Sequence, residues 1–281
     1  MEKKYLVGEL ETKGLVQVSC PVDLREAVVR AVESWKVFCS LPENARRQFP
    51  YNSSAGMGVG YELKQTSGAN LDVKEDFHFA LGSEGWITGI AEEMKNPVVS
   101  RFVDDARSLA HAMEPLVLDF AQDLERRFAL EGLAQEVADS EGSWFVRFLH
   151  YFGNRREGDE IATPHADKSG FTLHLYESDP GLQYLDFKKN WQEMPVSAAE
   201  TAIIPGMRLQ YRSRGQLKAM FHRVVATKET AVRGRFSAVC FVHLNHTPAY
   251  DKQKSGRLQE FQPGFNYEMP FEEFSKLFIS Q

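Results

Sequence analysis

At 281 residues, with 43% hydrophobic and 26% charged residues, the chain has ordinary globular composition and is long enough to bury a sizeable core without disulfide staples. A formal charge of −6, with only short basic runs such as "ARRQF" and "NRREGDE", argues against a nucleic-acid-binding face, and no run approaches the roughly 20 apolar residues needed to span a bilayer. Cys20, Cys39 and Cys240 show no paired spacing and the N-terminus carries no apolar segment of signal-peptide length, so the expectation is a soluble cytoplasmic protein, monomeric by default.

In chain order, "PVDLREAVVRAVESWKVFCSLP" places Leu24, Val28, Val32 and Trp35 at helical spacing, with Asp23 and Glu26 in a capping-box arrangement and Pro42 as a stop. Residues 51–79 are rich in Gly and Ser and only weakly periodic, which reads as a long loop of functional type. "NPVVSRFVDDARSLAHAMEPLVLDFAQDLERRF" returns to helical periodicity through Phe102, Ala106, Leu109, Met113, Val117, Phe120 and Leu124, with Pro115 expected to kink or divide it. From Trp144 the period shortens. "WFVRFLHYF", "FTLHLYE", "LQYLDF", "TAIIPG", "RLQYR" and "FSAVCFVHL" read as short strands between turns, and six or more such strands suggest a sandwich or barrel with helices packed outside it. "PFEEFSKLF" reads as one short amphipathic helix. The division this implies is one domain over 1–281: a helical half (1–140), a β core (144–245) and a tail with a short helix (246–281).

The stretch "TPHADKSGFTLHL" sets His165 and Asp167 two positions apart at the head of an apolar run, where residues i and i+2 of a strand share a face. Imidazole nitrogen with carboxylate oxygen suits a borderline divalent ion such as Fe(II). A third ligand has to come from elsewhere. His174 is too close along the same strand and reads as a satisfied core or groove histidine. His150 is available on an earlier strand, and His222 follows 55 residues after Asp167, at the start of another β-branched run.

The segment from Ala162 to Val225 resembles the catalytic core of the Fe(II)/2-oxoglutarate-dependent oxygenases, in the isopenicillin N synthase-like branch. The likeness rests, in order, on His-x-Asp, "PGLQYLD", "IIPG", "RGQLKAMFHRVV" and Arg235-Phe236-Ser237. The resemblance implies a mainly β fold with α elements: a double-stranded β-helix (jelly-roll) core with flanking helices from the N-terminal half. It implies His165, Asp167 and His222 as an iron-holding catalytic triad, Arg235 and Ser237 at the distal carboxylate of 2-oxoglutarate, and Tyr151 as a further cosubstrate contact. A planar guanidinium suits a carboxylate in that role.

Fe(II), with 2-oxoglutarate and O2 as cosubstrates, would then serve an oxidoreductase that hydroxylates a small organic molecule and releases succinate and CO2. A relative that does not use 2-oxoglutarate, like isopenicillin N synthase or aminocyclopropanecarboxylate oxidase, and a non-catalytic jelly-roll binding protein are the alternatives. The substrate pocket is expected from Tyr61, Lys64, Lys74, Phe77, Phe79, Arg147 and Tyr211, the last two placed on strands. The chain departs from the family's pattern at Leu149, Met207 and Ala219. Arg233 competes with Arg235 as carboxylate anchor, although only Arg235 has a serine two places on.

Overall fold

The computed structural model describes residues 7–52, 58–65, 73–197, 199–244, 267 and 269–278. Helix α1 (Val22–Cys39) buries Leu24, Ala27, Val28, Ala31, Val32, Trp35 and Phe38, the stripe that three- and four-residue spacing puts on one face. Its N-cap is Pro21, with no side-chain cap, so Asp23 lies in the first turn and complements the helix dipole instead of closing a capping box. Helix α4 (Pro97–Phe128) is capped by Asn96, whose side chain accepts from the Val98 N–H at 2.9 Å. It runs unbroken through Pro115. Three shorter helices, α2 (Glu43–Arg46), α3 (Glu84–Met94) and α5 (Leu133–Asp139), complete this half.

The β elements are β1 (Val16–Ser19), β2 (Gly60–Gln65), β3 (Val73–Ala80), β4 (Phe145–Tyr151), β5 (Glu160–His165), β6 (Phe171–Glu177), β7 (Leu182–Leu185), β8 (Trp191–Glu193), β9 (Glu200–Pro205), β10 (His222–Val225) and β11 (Arg235–Val242). They form two antiparallel sheets, one in the order β1-β9-β6-β11-β4-β3-β2 and the other β5-β10-β7-β8, which is the jelly-roll core with helices outside. α1 and α4 cover the outer face of the large sheet. There Trp35, Phe38 and Phe102 meet Phe77 and Phe148, with Phe38–Phe102 ring centroids 4.9 Å apart and Phe77–Phe102 5.0 Å. The space between the sheets holds a second apolar cluster, in which Leu149, Val239 and Ile204 from the large sheet face Ile161, Leu182 and Val224 from the small one.

Two expectations change here. Most of the described residues of the predicted loop 51–79 belong to two paired strands: β2 and β3 pair from Gly60↔His78 to Gln65↔Val73, while residues 53–57 and 66–72 lie outside the described residues. Its strands escape a hydrophobic-pattern reading because β3 carries Lys74, Asp76 and His78 toward the interior of the jelly roll, where apolar residues are the usual signal. "RLQYR" is not a strand but part of α6 (Met207–Arg212), which buries Leu209 and Gln210. The stretch from His222 to Arg235 contains α7 (Lys228–Arg233), opened by a Thr227–Thr230 capping box. The C-terminal helix spans Phe271–Lys276, while most of the rest of the predicted tail lies outside the described residues. Among the described residues no helix is long and apolar enough to cross a membrane.

Candidate active site

His165 ends the edge strand β5, and Asp167 follows it in the turn before β6, so the pair does not sit on one strand as the sequence suggests. The lysine, serine and glycine after Asp167 break the extended chain. What aligns the ligands instead is pairing across the small sheet: His165 is the register partner of His222 on β10, and their ring centroids lie 4.4 Å apart.

Both imidazoles are oriented in the same way. His165 Nδ1 lies 2.7 Å from the Thr163 carbonyl and His222 Nδ1 lies 3.3 Å from that of Met220. An Nδ1–H donated to each carbonyl leaves both Nε2 lone pairs facing Asp167 Oδ1, at 3.7 Å from His165 and 3.8 Å from His222. Thr172 donates its hydroxyl to the other carboxylate oxygen, Asp167 Oδ2, at 2.7 Å. The three ligand atoms lie within 4.8 Å of one another, as one ion requires. Thr172 is a site residue that the sequence reading did not identify. Its only signal there is a hydroxyl on the inward face of the strand that follows His-x-Asp.

Electrostatics puts His222 and Asp167 in the ligating protonation state. Burial pushes the His222 pKa down to about 3 against the attraction of Asp167. Burial alone would raise that of Asp167, but His222, His165 and the Thr172 hydrogen bond together hold it below the ordinary aspartate value. A neutral imidazole and an ionised carboxylate are the forms that bind a metal.

The triad opens on a cavity lined by both sheets, with Lys74, Arg147, Leu149, Tyr151, His174, Glu177 and Ser237 among its walls. Arg235, 1% exposed, lies beside Tyr151, its guanidinium carbon 6.0 Å from that ring's centroid. Its Nη2 pairs with Glu177 and donates to the Asp179 carbonyl at 2.9 Å, whereas Nε and Nη1 are buried without a hydrogen-bond partner. A buried cation with two unsatisfied nitrogens fits an anionic ligand. Arg233 is no competitor: α7 carries it into solvent, 63% exposed, where it pairs with Asp179.

Of the predicted pocket residues, Lys74 and Arg147 line the cavity, and Arg147 is held there by its Nε–H donated to His78 Nε2 at 2.7 Å. Tyr61, Phe77 and Phe79 do not. All three are buried in the cluster between the large sheet and the helices, because alternation along β2 and β3 turns them outward from the jelly-roll interior. Lys64, on the edge strand β2, pairs with Glu62 at 3.2 Å and lies 3.8 Å from Asp76, outside the cavity lining. Tyr211 belongs to α6, donates its hydroxyl to the Met269 carbonyl at 2.7 Å, and packs against Phe271 and Phe274. Met207 and Ala219 depart from the family's pattern together for a related reason: both are buried under the C-terminal helix, in one cluster with Tyr267, Phe271, Phe274 and Phe278. Leu149, the third departure, does line the cavity.

A second group with metal-ligand chemistry, Cys39, Glu75 and His150, lies on the helix-facing side of the large sheet. There Glu75 already pairs with Arg46, accepts from the Tyr61 hydroxyl at 2.7 Å and meets His150 Nδ1 at 2.8 Å. A carboxylate satisfied on both oxygens, with a cation beside it, is a closed network and not an ion site.

Residues 145–244, which contain every element of the triad and the Arg235 anchor, match the family model described as the 2OG-Fe(II) oxygenase superfamily. No curated protein matches the chain. The fold is similar to that of a Caulobacter crescentus protein assigned to the 2OG-Fe(II) oxygenase family (TM-score 0.70, 22% identity, over 85% of this chain and 80% of that one). It is also similar to a full-length Neurospora crassa protein in complex with alpha-KG, that is, 2-oxoglutarate (0.69, 16% identity, 91% and 88%). A third likeness is to the rice dioxygenase for auxin oxidation (0.65, 19% identity, 96% and 86%). At these identities the likeness is one of fold.

Proposed function

We propose, from the membership of residues 145–244 in the 2OG-Fe(II) oxygenase superfamily, that His165, Asp167 and His222 hold the catalytic iron of this dioxygenase and that Arg235 anchors its cosubstrate. The observation that carries the assignment is the paired orientation of His165 and His222, each tied by Nδ1 to a carbonyl two residues back, so that both Nε2 atoms converge with Asp167 Oδ1. The enzyme is an Fe(II)- and 2-oxoglutarate-dependent dioxygenase. When bound, the iron and 2-oxoglutarate activate O2, so that the keto acid leaves as succinate and CO2 and one oxygen atom enters the substrate.

The chain's own residues supply position and charge. Thr172 fixes the Asp167 carboxylate, leaving Oδ1 for the metal. Arg235, with Ser237 and Tyr151 beside it on the cavity wall, receives the distal carboxylate of 2-oxoglutarate, for which the two unpartnered guanidinium nitrogens provide donors. The small organic substrate enters on the Arg147 side. There the guanidinium lies over Phe241, 4.8 Å from its centroid, and is held by His78, which favours a polar or carboxylate-bearing molecule. Hydroxylation is the outcome we assign. Three free thiols, Cys20, Cys39 and Cys240, support a reducing cytoplasmic location, and a monomer without nucleic-acid partners is the default reading.

Anaerobic titration of metal-free protein with Fe(II) and 2-oxoglutarate tests this reading. A weak visible charge-transfer band that needs both components supports joint chelation, and succinate release then reports turnover. Iron binding without a band would overturn the cosubstrate assignment, and absence of iron binding would overturn the triad. His222→Ala is expected to abolish iron-dependent succinate formation while the circular dichroism spectrum stays that of the wild type.

A further inference from the structure

The inward face of β6 carries three polar side chains in succession, and two of them have evident partners. Thr172 holds Asp167 at the metal end of the cavity, and Glu177 holds Arg235 at the other. Between them stands His174, 3% exposed, lining the same cavity. Its ring is edge-on to His222, with centroids 5.5 Å apart, and its Nδ1 lies 3.6 Å from Glu177, beyond hydrogen-bond reach. Neither ring nitrogen has a hydrogen-bond partner. The imidazole that sequence reasoning treats as a satisfied core or groove residue is therefore an orphan.

An unsatisfied buried polar group is costly, and native structures keep such a group where a ligand, ion or water completes it. Iron does not complete His174, since the two imidazoles already aimed at Asp167 Oδ1 are those of His165 and His222. A keto acid chelated at the triad and anchored at Arg235 must cross the stretch of wall between Thr172 and Glu177, and His174 is the side chain there. Resting on the cosubstrate reading above, we infer that His174 is a cosubstrate-binding residue that donates a ring N–H to a carboxylate oxygen of bound 2-oxoglutarate.

The test is the affinity of 2-oxoglutarate itself, read anaerobically from the charge-transfer band in wild type, His174→Leu and His174→Gln, with Fe(II) affinity measured separately in each. In His174→Leu we expect unchanged iron binding, a melting temperature of the metal-free protein equal to or above that of the wild type, and 2-oxoglutarate binding weakened roughly 10- to 100-fold, equivalent to about 1.4–2.8 kcal/mol. His174→Gln, which keeps an N–H donor, should recover most of that loss. A role confined to packing would lower the melting temperature of the metal-free protein and would not be rescued by Gln, and that result overturns the inference. Wild-type 2-oxoglutarate affinity in His174→Leu overturns it too, while leaving the cosubstrate reading intact. A wild-type protein that binds iron but gives no band would instead overturn that reading, and this inference with it.

Discussion

Replacing Arg235 with Met separates two roles of one side chain. Arg235 is fully buried and Glu177 8% exposed, so deleting the guanidinium strands a carboxylate in the interior and removes a donor from the Asp179 carbonyl. Breaking a buried pair from one side costs about 3–5 kcal/mol. At roughly 2 °C per kcal/mol for a chain of this size, the metal-free Arg235→Met protein should melt about 6–10 °C below the wild type. The double variant Glu177→Met/Arg235→Met removes both charges and should regain most of that loss, since well-packed apolar replacements of buried pairs are commonly neutral or stabilising. Cosubstrate binding should follow a different course. Both variants lack the nitrogens offered to the distal carboxylate, so 2-oxoglutarate affinity falls at least about 100-fold in each, about 2.7 kcal/mol, whether or not stability is recovered. Arg233→Ala, altering an exposed guanidinium on α7, serves as the control and should leave that affinity unchanged. Differential scanning fluorimetry and the anaerobic charge-transfer titration read the two quantities. A double variant that is restored in stability and binds 2-oxoglutarate like the wild type would refute the anchor.

Three further outcomes follow from the same geometry. Thr172→Val keeps the shape of the side chain but frees Asp167 Oδ2, so Fe(II) affinity should drop about 10- to 100-fold with the fold unchanged; equilibrium dialysis that finds wild-type affinity would rule out an orienting role. Folded-state pKa values of about 3 for His222 and about 4 for His243 lie below the ordinary 6.5, so between pH 6.5 and 4 the unfolded chain binds more protons and stability falls as the pH falls. His78, lowered by burial and Arg147, acts in the same direction, and each such group contributes up to about 1.4 kcal/mol per pH unit; a flat melting profile of the metal-free protein from pH 6.5 to 4.5 would contradict the burial assignment. Phe77→Ala, in the cluster under α1 and α4, should cost about 3–5 kcal/mol in urea denaturation yet leave Fe(II) affinity intact, whereas a selective loss of ligand binding would return Phe77 to the pocket.

The sequence made some of this site legible and hid the rest for definable reasons. His165, Asp167 and His222 stand in motifs whose residue order survives in one dimension, and five of the six strands it suggested are strands of the jelly roll. The direct argument for His165 and Asp167, two positions on one strand, does not describe them; register pairing of β5 with β10 does, and pairing between strands is not written in local spacing. The pocket residues were the weakest part. Tyr61, Phe77 and Phe79 share a hairpin with Lys74, and a single alternation decides which of them face the cavity and which face the helices. A hairpin read as a loop has no faces, so that distinction was out of reach. Tyr211 failed for a similar reason, since a short buried helix and a short strand of the same composition look alike.

The two halves of the site rest on different sheets, and that division explains which departures from the family's pattern are tolerable. The imidazole ligands belong to the small sheet and are fixed by hydrogen bonds to carbonyls close by, so they depend little on distant packing. The cosubstrate anchor belongs to the large sheet, where Arg235 on β11 faces Glu177 at the end of β6. Met207 and Ala219 lie outside this arrangement, beneath the C-terminal helix, so their apolar side chains serve that contact and subtract nothing from the cavity. Leu149 is different: it sits on the cavity wall, so this departure places an apolar side chain in the site itself. On the neighbouring wall His174 presents two ring nitrogens without a hydrogen-bond partner among the described residues. β4 and β6 both flank β11 in the large sheet, so Leu149 and His174 lie on either side of the strand that carries Arg235.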